Sequence, residues 1–248
     1  MSTIYILWLR QIKRYLRSRS RIIGSLGQPA LFLVALGFGF GPIFERAGGG
    51  SYINFLAPGV IAQGILFTAI FSGIELIWDR QFGFLKETLV APVSRLEIML
   101  GRTLGVATIA TIQGVIVFVL TLLVGFRPYS LVALIPALLI MFLISFLFTA
   151  LGTAIASILE DFQGFQLIMN FLVMPLFFLS GSLFPLTSAP SVLKLISSFD
   201  PLSYGVDGLR EVLIGTNHFG LLQDIAVLGV LTIITLSIGS YLFSKIQV

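Results

Sequence analysis

The sequence predicts an all-α membrane protein with six transmembrane helices, and three observations carry that expectation. Its 248 residues are 57% hydrophobic and only 10% charged, and a mean hydropathy of +1.04 is too high for one apolar core inside a polar shell. The apolar residues fall in six stretches, each near the roughly 20 residues that a helix rising about 1.5 Å per residue needs to cross about 30 Å of hydrocarbon. The intervening segments are short and leave no length for a separate soluble catalytic domain.

Residues 1–21 open the chain as an amphipathic helix. At about 100° per residue, Ile4, Trp8, Ile12, Tyr15 and Leu16 fall on one side, and Arg10, Lys13, Arg14, Arg17 and Arg21 on the other. Such a helix is expected to lie in the cytoplasmic interface with its cations near anionic headgroups; the plainer alternative is an orientation signal. Spans follow at about 22–44, 53–78, 103–126, 131–158, 166–184 and 222–244. The first exceeds the about 7 to 15 residues of a signal-peptide core and reads as a retained span.

With the N-terminus inside, the inner segments collect Arg10, Lys13, Arg14, Arg17, Arg19, Arg21, Arg80, Lys86, Arg95, Arg102 and Lys245. The outer segments hold Arg46, Arg127, Lys194 and Arg210. This excess orients the chain, and an even number of spans returns the C-terminus inside. Gly37 with Gly41, and Gly101 with Gly105, have the small-xxx-small spacing that lets helices approach closely in lipid. The two halves show no repeat, which disfavours inverted-repeat secondary transporters.

The segment 80–102 between spans two and three is longer and more charged than a turn requires. Phe82 to Val90 can form a short helix, Pro92 pushes Ala91 out of helical geometry, and Ser94 with Glu97 has capping-box spacing for the next helix. A helix, a break and a second helix, with Glu87 and Arg95 free to pair with another protein, describe either a docking element or an ordinary interfacial loop. Residues 185–221, interrupted by Pro185, Pro190 and Pro201, are too short and broken to span. There Asp207, Arg210 and Glu211 stand at i, i+3 and i+4, so a local ion pair competes with a gate role.

Ionisable groups in spans are functional suspects because charge is expensive in hydrocarbon. Glu75, one turn before Asp79 near the inner end of span two, is a candidate transport residue, unless it simply faces water at the membrane edge. Gln63, Gln113, Gln166 and Asn170 are explained by interhelical hydrogen bonds. The 23 phenylalanines either line a path for lipid-like cargo or pack against lipid. Zero cysteines exclude disulfides and thiol chemistry, and one histidine, His218, excludes a histidine-rich metal site. No G-x-x-x-x-G-K-[ST] loop cradles a nucleotide. The basic residues sit at membrane edges, so nucleic acid is not an expected partner. An ion- or proton-coupled secondary transporter using Glu75 is the alternative reading, ahead of an intramembrane enzyme and a simple membrane anchor.

The run LKETLVAPVSRLEIMLGR resembles the loop motif of the ABC-2 type permeases, the family of the daunorubicin and nodulation-factor export permeases. Residues 160–215, with MPLFFLSGSLFP and DPLSYGVDGLR, are similar to that family's C-terminal half. The resemblance covers nearly the whole chain and implies a single transmembrane domain over 1–248. It implies that Glu87, Thr88, Ala91, Pro92, Val93, Ser94 and Arg95 form a coupling helix and its exit, seated in a cleft of an ATPase subunit. It further implies a smaller contact at Glu160 and Asp161, for which a solvated turn is the plainer alternative, and short re-entrant helices within 185–221. The expected protein is an exporter subunit of a prokaryotic cytoplasmic membrane, working on an amphipathic, lipid-like, drug-like or lipid-linked saccharide cargo. It pairs with a second copy or close relative; it has no cofactor of its own, ATP and magnesium belonging to the partner ATPase, and no catalytic or metal-ligating residue.

Overall fold

The computed structural model describes residues 3–48, 50–84, 93–130 and 132–246, with only the backbone of Arg21 and Ser188. Every regular element among them is helical: α1 (Thr3–Arg17), α2 (Arg19–Arg46), α3 (Tyr52–Phe71), α4 (Ile74–Gln81), α5 (Arg95–Val124), α6 (Leu134–Ile158), α7 (Phe162–Leu179), a 3-10 turn (Leu186–Ser188), α8 (Ser191–Phe199), α9 (Pro201–Ile214) and α10 (Leu221–Ser244). Six helical runs are long and apolar enough to cross a membrane, namely Ile22–Arg46, Tyr52–Gln81, Arg95–Val124, Leu134–Ile158, Phe162–Leu179 and Leu221–Ser244. The chain is therefore an all-α multi-pass membrane protein, as its hydropathy requires.

Local chemistry sets the boundaries. The third spanning helix begins at Arg95 rather than 103 because Ser94 and Glu97 close a capping box: Glu97 N donates to Ser94 Oγ, and Ser94 N to Glu97 Oε2, each at 3.2 Å. The fifth starts where Asp161 Oδ1 accepts from Gly164 N. It stops at Leu179, short of the expected 184, two residues before Gly181 with φ +74. The second is interrupted at Ser72 and Gly73. A Cβ on Gly73 would lie 2.5 Å from Gly152 O, so α6 and this break are seated backbone to backbone, which glycine alone permits.

α3 is the central helix. Its most apolar window is 78% buried, against 17% for α2, 22% for α7 and 17% for α10. It packs against α2, α5, α6 and α9, while α10 lies along α6 and α1 along α5. The short helix α9 is buried over most of its length, from Leu202 to Arg210. Asp200 caps it, Oδ1 accepting from Leu202 N at 2.8 Å, and Pro201 occupies its first turn.

Candidate functional site

The densest set of charges gathers where α4 runs toward the segment 80–102. Arg102 Nη1 donates to Asp79 Oδ2 at 2.6 Å, and both side chains are more than nine-tenths buried. Arg14 Nη1, on α1, stands 3.6 Å from Glu75 Oε2 and 4.0 Å from Asp79 Oδ1. Two acids and two bases from three helices thus balance. Glu75, at 5% exposure, faces this cluster rather than water. Removing either partner of the Asp79–Arg102 pair strands a buried charge, at a cost of roughly 3–5 kcal/mol.

The same end gathers a second contact. Arg80 Nη2 bonds Glu160 Oε1 at 3.0 Å, and Gln81 Nε2 donates to Glu160 O at 3.1 Å. Trp78 stacks on Phe162 with ring centroids 6.0 Å apart. The Glu160–Asp161 loop between α6 and α7 is thereby tied to the helix that leads into 80–102. Glu87, Thr88, Ala91 and Pro92, with the expected helix Phe82 to Val90 from residue 85 onward, lie outside the described residues. Of the motif's exit, Val93 is half-buried against the core and Ser94 caps α5. Arg95, which the sequence offers for pairing with another protein, is exposed and also engaged within the chain. Its Nη1 donates to Ser244 O at 2.9 Å and Ile246 O at 3.1 Å, holding the C-terminal end of α10.

α1 runs parallel to the first half of α5. Gly101 receives Ile4 and Leu7, and Gly105 receives Trp8 and Gln11. Trp8 Nε1 donates to Thr108 Oγ1 at 3.1 Å, and Tyr15 OH to Gln113 Oε1 at 2.8 Å. The small-xxx-small pair 101/105 therefore seats α1, whereas at 37/41 only Gly37 meets a neighbour, Ile53. Leu16, on the apolar side of α1 by periodicity, is exposed. Between α2 and α3 opens a cavity of about 260 Å³ whose polar lining includes Tyr15, Ser25, Gln28, Gln63 and Thr68. Gln63 is 1% exposed and neither of its amide atoms has a hydrogen-bond partner. The expected interhelical bond exists for Gln113 but not for Gln63. Gln166 and Asn170 lie on the exposed face of α7.

At the opposite end, the expected ion pair among Asp207, Arg210 and Glu211 does not form. Asp207 accepts His218 N at 2.8 Å and Phe219 N at 2.7 Å. Glu211 accepts from Asn217 Nδ2 at 3.0 Å. Arg210 Nη2 donates to Gly181 O at 3.0 Å and Phe55 O at 3.4 Å, and its guanidinium lies 4.1 Å from the Phe55 ring centre. The backbone of the His218 loop outbids Arg210 for Asp207 because two convergent N–H groups chelate a carboxylate without ordering a long side chain. Arg210 instead joins α9 to α3 and to the turn after α7. Burial lowers its guanidinium to about 10, with Asp207 opposing, so it stays charged at neutral pH. Burial likewise pushes the Asp200 carboxyl up to about 7, against the Leu202 amide and the Ser203 hydroxyl.

Sequence reasoning missed Arg14, Asp79 and Arg102 as one cluster, although Asp79 one turn after Glu75 was a usable signal. It missed Asp200, whose Asp-Pro pair at a helix start is legible, and Asp224, fully buried in the first turn of α10. Among the described residues no group of three or more His, Cys, Asp or Glu is placed to hold a metal.

A family model for the ABC-2 type transporter matches residues 2–214. Nodulation protein J of Rhizobium leguminosarum bv. trifolii is 27% identical over 243 residues, covering 97% of this chain and 90% of that protein. Nodulation protein J of Rhizobium meliloti (strain 1021) is 28% identical over 204 residues, 81% of this chain and 77% of the relative. The putative transport permease ycf38 of Pyropia yezoensis is 32% identical over 215 residues, 84% of this chain and 72% of the relative.

Proposed function

The chain belongs to the ABC-2 type transporter family, and from that premise we propose that it is the membrane subunit of an ATP-driven exporter whose ATPase is a separate polypeptide. The observation that carries this reading is the junction beneath α4. The segment 80–102 connects two helices, α4 and α5, whose ends are clamped to each other by Asp79 and Arg102 and to α1 by Arg14. A force applied to the segment reaches three helices at once, and through Arg80 and Glu160 it reaches the α6–α7 loop. The Ser72–Gly73 break seated on Gly152 offers the pivot. Packed helices then switch between discrete arrangements rather than bending continuously.

In this reading Glu87, Thr88, Ala91, Pro92, Val93 and Ser94 contact the ATPase. Arg95 supports them from behind by holding α10, and Glu160 with Asp161 supplies the lesser contact. ATP and magnesium are held by the partner subunit. The pathway forms between two copies, or a copy and a close relative, at the exposed faces of α2 and α7, two helices whose inner sides meet where Phe32 packs on buried Phe177 with ring centroids 5.5 Å apart. Polar Gln163, Gln166 and Asn170 share the α7 face with Leu167, Phe171 and Met174. That mixture suits an amphipathic or lipid-like cargo better than pure lipid contact. At the far end, Arg210 bridging α3 and Gly181 acts as a latch of the exit, with Asp207 and Glu211 holding the loop after α9. The subunit resides in a prokaryotic cytoplasmic membrane with both termini inside. Glu75 is occupied in a charge-balanced cluster with Arg14, Asp79 and Arg102, which favours a structural role over a proton-carrying one.

Copurification of the tagged chain from its native membrane should bring down a stoichiometric ATPase, and Glu87→Lys should lower the activity of that complex while leaving insertion intact. Transport by the chain alone under an ion gradient, with no ATPase bound, would overturn the assignment.

A further inference from the structure

At the end of the bundle away from the segment 80–102, two chambers adjoin, and one of them carries charged and polar groups among apolar ones. One, of about 280 Å³, sets Ser180, Ser203, Asp207, Arg210 and Asn217 against Phe55 and Leu186. The other, of about 370 Å³, is lined by apolar groups that include Leu36, Phe40, Ile43, Leu183 and Phe184. Phe44 and Pro185 belong to both. An occupant that fills the two must be polar at one end and apolar at the other.

The charges of the polar chamber narrow its chemistry. Arg210 is 8% exposed, and its Nε has no hydrogen-bond partner. Asp207, 3% exposed, receives N–H groups from His218 and Phe219 alone among the described residues, while a carboxylate offers about four acceptor sites. One buried cation with an unused donor and one buried anion with spare acceptor capacity therefore line the same chamber. A purely anionic head would meet the Asp207 charge, and a purely cationic one the Arg210 charge. A zwitterion answers both. Guanidinium geometry matches phosphate oxygens. The carboxylate calls for a cation that still carries N–H, which a primary ammonium has and a quaternary one lacks.

We propose that these two adjoining chambers bind a zwitterionic phospholipid with a primary ammonium head, its phosphate at Arg210, its ammonium at Asp207 and an acyl chain along the Leu36–Phe40–Ile43 side of α2. The lipid fills the space between the outer half of α2 and the turn after α7. It thereby braces the end of the bundle where Arg210 joins α9 to α3. Its assignment to the outer leaflet rests on the orientation proposed above; the binding itself does not.

The complete transporter complex, reconstituted in nanodiscs of equal parts phosphatidylethanolamine, phosphatidylcholine and phosphatidylglycerol, is released into mild detergent, and its retained lipid is weighed by native mass spectrometry. Phosphatidylethanolamine should be enriched over each of the others by about tenfold, the factor that one charge-assisted hydrogen bond supplies. Asp207→Asn should abolish the preference for phosphatidylethanolamine over phosphatidylcholine. Ile43→Trp, at a side chain 62% exposed where folding is not at stake, should lower retention of all three by narrowing the apolar chamber. Retention in proportion to the mixture, enrichment of phosphatidylglycerol, or an unaltered pattern in Ile43→Trp would overturn the proposal. The readout is lipid mass, so either result leaves the ATP-coupling assignment to its own test.

Discussion

Asp200 answers to two demands. Capping α9 requires an acceptor for the Leu202 amide, which either protonation state supplies, whereas its 5% exposure penalises the ionised form. Its folded-state value of about 7 stands above the ordinary 3.8, so between those values the folded chain binds the proton more tightly than the unfolded one. Stability from this group is complete below about pH 4 and falls by at most roughly 1.4 kcal/mol per pH unit as the pH rises toward 7. Asp200→Asn keeps an acceptor for Leu202 and should flatten that slope. Melting temperatures of both proteins in detergent, read from pH 4 to 7, check it; parallel curves would place the titration elsewhere. The cap itself was legible in the Asp-Pro pair. The burial was not, because it comes from α9 packing against helices far away in the chain.

Among the elements, α1 carries the clearest consequence. Periodicity identified an amphipathic helix with a basic side, and its partner α5 was prefigured only by the Gly101/Gly105 spacing. At Gly105 any Cβ would stand 2.8 Å from Gln11 Cβ and 3.3 Å from Trp8 Cα. Gly105→Leu should therefore lift α1 off α5, with an overpacking cost of about 1–3 kcal/mol. In a Trp78→Phe background Trp8 is the only remaining tryptophan, so its emission should move to the red as the Thr108 contact is lost. Unchanged emission and melting temperature would mean that α1 is held by other contacts. The capping box at Ser94 was equally legible, because it depends on residues three apart. The interruption at Ser72–Gly73 was not: an apolar run gives no sign of a break whose cause is the backbone of α6.

At the scale of the whole molecule, the unburied helices show where other molecules must lie. α7 exposes Phe171 at 84% and α10 exposes Ile233 at 67%, yet the α7 face carries three amides, Gln163, Gln166 and Asn170, whereas α10 has Gln223 in its first turn. Two copies related by a two-fold axis bring a residue near the axis against itself. The chain has no cysteine, so a single introduced thiol reports this directly. Phe171→Cys in native membranes should give disulfide-linked dimers under mild oxidation, since bridging needs Cα atoms within about 7 Å, while Ile233→Cys should stay monomeric. The reverse pattern would move the interface to α10.

Hydropathy by itself determined the class and the number of spans, because lipid forces every buried backbone group into a helix of about 20 residues whatever its neighbours. Charge placement gave an expected orientation, and the two motif blocks pointed to the family. The tertiary structure alone decided which acid meets which base: Asp79 with Arg102, Glu75 with Arg14, Arg95 with the carbonyls of Ser244 and Ile246, and Arg210 with Phe55 and Gly181 rather than Asp207. In helices apolar on every side, periodicity cannot say which face turns inward. Partners are then chosen by close packing between segments far apart in the chain, for which local sequence carries no code.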